Sequence, residues 1–334
     1  MPRAIALAAA GLLIAGPAAA LTLDAPNTVT GADFGIVFDG PLATPTTVNS
    51  VTFDGGSALA PLFGFAGPPA RVCGFFGGAG CQGPVVIDLP APSRDLSVTI
   101  SGTPAQARAY DGAELVAVRS NMVDGVLDFG GGYNIDRVEI EPTATGPGNS
   151  VAFEGITFTP QSLRDPRTFV DFSLAPSDTF GTGEEIRGVR FDWFGGFAAT
   201  RDGEPPDLCA FAPGAGCLGA TTATLPAPSS QVSYDVTGNA PTQHEAFDAM
   251  GARLAILTLG SGGGRVDFGA IGGIASVVAA PSRIDLGANY FISELSFQAP
   301  PPSGEVPLPG AAPLLALGAA ALARAAKSRA RREV

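Results

Sequence analysis

Residues 72–102 read VCGFFGGAGCQGPVVIDLPAPSRDLSVTISG, and residues 208–238 read LCAFAPGAGCLGATTATLPAPSSQVSYDVTG. The two stretches align without a gap at an offset of 136. Cys73 matches Cys209, Cys81 matches Cys217, and Leu89-Pro90-Ala91-Pro92-Ser93 matches Leu225-Pro226-Ala227-Pro228-Ser229. Self-similarity at a fixed offset marks a duplicated structural unit. The match extends outward more loosely. Val51-Thr52-Phe53-Asp54 corresponds to Val189-Arg190-Phe191-Asp192, Ala109-Tyr110-Asp111 to Ala246-Phe247-Asp248, and 151–158 to 290–297. The chain is therefore expected to hold two copies of one domain, 21–160 and 168–299, joined by a linker at 161–167. Each copy, with its own strands and its own cysteine pair, is expected to fold alone.

Within each copy the apolar residues alternate over short runs. Val98 and Ile100 are interleaved with Ser97, Thr99 and Ser101, as a half-buried strand requires. In copy one this reading gives strands near 35–38, 48–53, 85–89, 96–101, 106–110, 115–118, 125–129, 137–141 and 151–158. Composition agrees. Gly 45 and Pro 30 in 334 residues exclude a helical bundle or coiled coil, while 46% hydrophobic residues and 21 Phe exclude a disordered chain. The expected fold class is all-β: two tandem β-sandwiches of jelly-roll type. A signal helix precedes them and a short apolar helix follows.

Both ends read as addresses. Residues 1–20 carry a positive start at Arg3, an apolar run at 5–14 and Ala18-Ala19-Ala20, the pattern of a cleavable secretory signal. At the other end a Pro-rich linker, 300–305, precedes Val306-Pro307-Leu308-Pro309-Gly310. An Ala/Leu-rich segment, 311–323, comes next, and then the cations Arg324, Lys327, Arg329, Arg331 and Arg332. An apolar segment followed by cations has the polarity of a stop-transfer element with its basic tail inside. Without the two ends, 13 cations face 30 acids, a net charge of −17, with no Lys. Such a body is unsuited to nucleic acid.

The order of Val306-Pro307-Leu308-Pro309, apolar helix and Arg-rich tail, over 306–334, resembles the PEP-CTERM sorting signals in their VPLPA variant, with Gly310 where that variant has Ala. The resemblance implies an exosortase-like membrane protease as partner. It implies a Gram-negative host that makes extracellular polysaccharide. It also implies an exported protein held transiently at the inner membrane, then delivered to the cell surface or matrix. Ala109-Tyr110-Asp111 and the late strand at 151–158 resemble the galactose-binding-like jelly-roll domains found among such proteins. That second resemblance implies a structural Ca²⁺ held by carboxylates from early and late strands. The acids concerned are Asp54, Asp111 and Glu154 in copy one and Asp192, Asp248 and Glu294 in copy two, where Glu154 aligns with Ser293 and Glu294 lies one place further on, facing the other side of a strand.

Candidate sites are few. Four cysteines in an exported chain, at a repeated C-x7-C spacing, are expected to form the disulfides Cys73–Cys81 and Cys209–Cys217. Trp193 is the candidate for stacking on a sugar ring, with Phe75, Phe76, Phe194 and Phe197 beside Gly-rich loops. His244, the one histidine, is expected at the surface or an edge. No G-x-S-x-G or H-E-x-x-H occurs, and no catalytic residue stands out. The expected function is a non-enzymatic surface or matrix protein. A carbohydrate-binding module for exopolysaccharide is the alternative. A glycoside hydrolase with a carboxylate pair drawn from distant strands is the lesser one.

Overall fold

The computed structural model describes residues 22–56, 61–76, 80–121, 124–130, 134–143, 150–175, 179–193, 198–201, 207–210, 216–283 and 289–301. The signal at 1–20, the sorting motif Val306–Gly310, the apolar helix and the basic tail lie outside these residues. Among the described residues no helix is long and apolar enough to cross a membrane.

The repeated LPAPS motif lies at the centre of the architecture. Residues 85–89 and 96–101 are not two strands. They are parts of one, Val85–Gly102, which passes from one sheet of a sandwich to the other. Its first half pairs with Val51–Asp54 and Ile135–Pro142, and its second half with Val151–Pro160 and Gly125–Asp128. Pro90 and Pro92, which lack an N–H to give to a ladder, fall where the partners change. Ser93 Oγ donates to the carbonyl of Ala91 at 2.9 Å, and Asp95 takes a left-handed φ of 50°. Copy two repeats every part of this corner. Thr221–Gly238 is the shared strand, Ser229 Oγ donates to Ala227 O at 2.7 Å, and Gln231 has φ 51°.

Each copy is a two-layer antiparallel sandwich. In copy one the first sheet runs Thr46–Val48, Val51–Asp54, 85–93, Ile135–Pro142, Ala105–Asp111, Glu114–Asn121. The second sheet is centred on Val151–Pro160, flanked by 93–102, Asn27–Thr30 and Arg71–Phe76. Inward-facing residues from both fuse into one core. Phe53 of the first sheet meets Phe153 of the second at 5.3 Å and Phe34 at 4.7 Å between ring centroids. In copy two the order is Glu184–Ile186, Val189–Trp193, 221–229, Ile274–Pro281, Thr242–Phe247, Arg253–Leu259. Between Pro160 and Thr168 the ladders of one copy stop and those of the other begin. All-β tandem sandwiches are thus the fold.

One expected strand is absent. Residues 31–34 form a 3-10 turn, and Gly35 closes it at φ 60°. Asp33 accepts from the Thr30 N–H at 2.7 Å, a local bond that competes with a ladder. Val37 and Phe38, read as part of that strand, are exposed.

Candidate functional site

Strand alternation lays a polar surface over the first sheet of copy one. Val51, Phe53, Ile87, Val138, Ala107 and Ala109 point into the core, so their neighbours point out. The register joins those neighbours into rows. One row is Thr52, Asp88, Arg137, Tyr110, and the next is Asp54, Val86, Glu139, Arg108. Three strand spacings make each row about 14 Å long. A cleft of about 630 Å³ opens on this face, lined by Thr44, Asp54, Asp88, Arg137 and Val86.

Four charges on the face, Arg108, Arg137, Glu139 and Glu141, are engaged in pairs. Arg137 pairs with Glu139, and its guanidinium lies 5.6 Å from the centre of the Tyr110 ring. Tyr110 donates its hydroxyl proton to Glu139 Oε2 at 2.9 Å, and Arg108 meets Glu141 at 2.5 Å. Burial, followed by the Glu139 carboxylate, raises the Tyr110 pKa, so the phenol stays a neutral donor. A planar cation over a ring, flanked by carboxylates, offers donors and acceptors side by side on a flat surface.

Copy two lacks most of this chemistry. The equivalent rows are Arg190, Thr224, Ser276, Phe247 and Asp192, Thr222, Val278, Glu245. Asp88, Arg137 and Glu139 are replaced by Thr224, Ser276 and Val278. Duplicated backbones therefore carry unlike faces. Sequence reading singled out Asp54 but missed Asp88, Arg137, Glu139 and Tyr110 as a group. The i, i+2 spacing of Arg137, Glu139 and Glu141 was the available signal.

The six acids considered for Ca²⁺ are dispersed. Asp54 lies in the cleft, on the first sheet of its sandwich, and Glu154 on the second. Asp111 pairs with Arg164 of the segment that follows the first sandwich. Asp192 pairs with Arg190 and accepts from Thr182 at 3.0 Å. Asp248 caps a turn by accepting from the N–H groups of Met250 and Ala252, both at 2.8 Å. Glu154 and Glu294 each fall at a break in register, a β-bulge, and Glu294 has φ 52°. Among the described residues no three His, Cys, Asp or Glu side chains are grouped to hold a metal ion.

Other candidates are relocated. Trp193, the candidate sugar platform, is buried, with 9% of its surface exposed, and so presents little of its ring to a ligand. Phe75 stacks on Phe63 at 5.2 Å, and the side chains of Phe76, Phe194 and Phe197 lie outside the described residues. The disulfides Cys73–Cys81 and Cys209–Cys217 are present, with Cα–Cα distances of 5.4 and 5.3 Å. The first packs with Ala152, Phe63 and Phe65 in a small apolar cluster apart from the main core.

His244 is not at the surface. It is fully buried between the Tyr234 hydroxyl, 2.9 Å from Nδ1, and Thr242 Oγ1, 2.8 Å from Nε2. Burial lowers its pKa to about 4, so the ring is neutral at pH 7 and reaches no solvent. Tyr290, pushed up to about 12 chiefly by burial, donates to the carbonyls of Gly219 at 2.6 Å and Ala279 at 3.0 Å. These groups tie the core of copy two.

No protein-family model matches the chain, and no curated protein matches it. Solved structures do. The family 29 carbohydrate-binding module CBM29_1 from Piromyces equi matches 42% of this chain over 95% of its own, at 11% identity and a TM-score of 0.26. The CBM32-1 and CBM32-2 domains of Clostridium perfringens ZmpB, in complex with GalNAc, match 85% over 99%, at 9% identity and 0.22. The CBM22-1-CBM22-2 tandem of Paenibacillus barcinonensis Xyn10C matches 79% over 97%, at 8% identity and 0.21. At such scores the likeness carries no weight for ligand or activity, which must be read from the residues of the face.

Proposed function

We propose that this is an exported, non-catalytic surface or matrix protein whose first sandwich binds a polysaccharide chain on its open sheet face. The observation that carries the reading is the polar row Thr52, Asp88, Arg137, Tyr110 beside the cleft. A sugar chain is flat, rich in hydroxyls and extended. It needs carboxylates and guanidinium groups to bridge its diols, and a ring edge to lean on. A shallow face about three strand spacings wide meets a chain rather than a single small molecule. The net charge of the body disfavours polyanionic chains, so a neutral glycan is the expected ligand. Binding of the whole chain to a printed panel of neutral and acidic polysaccharides tests this. Retention on neutral glycans alone supports it, and no retention on any glycan contradicts it.

Export and sorting form the second part of the reading. The signal at 1–20, the two disulfides and Val306–Gly310 support it together, because disulfides persist in oxidising compartments. An exosortase-like protease would release the acidic body, and the short Ala-rich helix would hold it only until then. Intact mass of protein from its own host decides this. A C-terminus near Gly310 supports processing, and one at Val334 on the mature surface protein contradicts it.

A further inference from the structure

In copy one the first sheet ends at strand Glu114–Asn121, and the chain covers that edge itself. Ser173, in the segment that opens copy two, accepts from the Val118 N–H at 2.9 Å. Arg119 reaches Asp171 at 2.6 and 3.1 Å from the same segment. The matching sheet of copy two ends at strand Arg253–Leu259. The registers equate the two edges. Val118 lies opposite Arg108 and Ile256 opposite Glu245, and Arg108 and Glu245 occupy the same repeat position. Among the described residues, no segment pairs with the outer side of Arg253–Leu259.

From Ala255 to Leu259 this free edge has neither bulge nor charge, its two protections, Arg253 and the bulge at Leu254, lying at its start. Leu254 is 39% exposed and Ile256 47%, with Met250, 90% exposed, in the adjoining turn. The strand reads RLAILTL, with no Pro, no Lys and no acid. Its one charge, Arg253, pairs with Glu245 on the neighbouring strand at 3.5 Å. Its pairing with Thr242–Phe247 carries one bulge, at Leu254 between the pairs Phe247–Arg253 and Ala246–Ala255, and runs regular from Ala255 to Leu259. Native sheets rarely leave such an edge open, because its unpaired backbone groups are a template for another strand.

Charge selects the occupant. Residues 249–266 contain no Asp or Glu, in a body of net charge −17 between its two terminal signals. Two copies repel over most of their surfaces and do not repel here. Antiparallel self-pairing centred on Ile256 would place Ile256 on Ile256, Leu254 beside Thr258 and Ala255 beside Leu257, with no like charges opposed. A contact of one edge with itself is isologous and closes at two copies. We infer that Arg253–Leu259 is a homodimer edge, through which the first sheets of two second sandwiches join into one across a two-fold axis. The inference is independent of the glycan-binding reading.

Sedimentation of the whole chain over a wide concentration range tests it. The wild-type mass is expected to double as concentration rises, and Ile256→Lys, which sets like charges against each other on the axis, is expected to abolish the doubling. A wild type that stays monomeric overturns the inference, as does a dimer that Ile256→Lys leaves intact. A second variant guards against misfolding. All four native cysteines are paired, so Ile256→Cys adds the one free thiol. Under mild oxidation it is expected to cross-link into a covalent dimer, whereas Val126→Cys, exposed on the first sandwich, is not. Equal cross-linking of both, or of neither, also overturns it.

Discussion

Two buried ionisable groups occupy the same row of the duplicated fold and are solved in opposite ways. In copy one Arg119 pairs with inward-facing Ala107, and in copy two Leu257 pairs with inward-facing His244. Arg119 stays charged and is matched by Asp171, the pair being 2% and 1% exposed. Its Nε also donates to Asp128 O at 2.7 Å. Removing one partner strands a buried charge, so Asp171→Ala is expected to cost about 3–5 kcal/mol of unfolding free energy in denaturant titration. The pair replaced together by apolar residues should cost far less. His244 takes the other course and stays neutral. Its folded pKa of about 4 lies below its ordinary value of 6.5, so the unfolded state binds the proton more readily. Its contribution is full above pH 6.5 and drains away as pH falls toward 4. Melting temperature is expected to drop across that window, and His244→Gln is expected to flatten the drop. An unchanged slope in the variant would assign the acid sensitivity to other groups.

At the scale of the element, the shared strand and its corner explain what was legible and what was not. The repeat was readable because its motif recurs at a fixed offset, and the alternation at 96–101 and the cysteine pairing because each is local. That 85–89 and 96–101 belong to one strand was not, because Pro90 and Pro92 look like a break in any linear reading. Only the change of partners between sheets turns the break into a corner. The strand read at 48–53 is likewise a hairpin, Thr46–Val48 with Val51–Asp54, turned at Asn49 and Ser50, both with positive φ. The polar rows of the candidate face were illegible for the same reason, since register across four strands assembles them. Asp95 and Gln231 hold the corner in a left-handed conformation. Gln231→Gly is expected to be tolerated, while Gln231→Val, β-branched at positive φ, should lower stability by about 1–3 kcal/mol in thermal melts. Opening one staple, with Cys73→Ala and Cys81→Ala together, should cost about 2–3 kcal/mol, the loop-closure value for so short a loop.

At the scale of the molecule, the two sandwiches are not beads on a string. Besides Arg119–Asp171, Arg187 of copy two donates to Glu114 Oε1 at 2.8 Å, and Phe169 packs with the core of copy one. Asn134 exchanges hydrogen bonds of 2.8 Å with the backbone of Asp165, and Arg164 reaches Asp111 and Asp136. A chain with few cations places three more beside Arg119 along this joint, Arg164, Arg167 and Arg187. The expectation that each copy folds alone therefore needs amending for the first. A fragment ending at residue 162 leaves Arg119 buried without its carboxylate, so it should unfold at lower denaturant than a fragment extended to 175. Equal midpoints would show that the joint contributes nothing.

The functional account rests on the polar face of the first sandwich, with the cleft beside Asp54, Asp88 and Arg137. Affinity electrophoresis through gels cast with a series of neutral polysaccharides tests it most directly. Wild-type protein is expected to be retarded. Asp88→Ala with Arg137→Ala should migrate as in a gel without polysaccharide, and Thr224→Ala with Ser276→Ala, at the matching positions of the second sandwich, should be retarded like the wild type. Retardation that survives loss of Asp88 and Arg137 while the fold is intact would contradict the account.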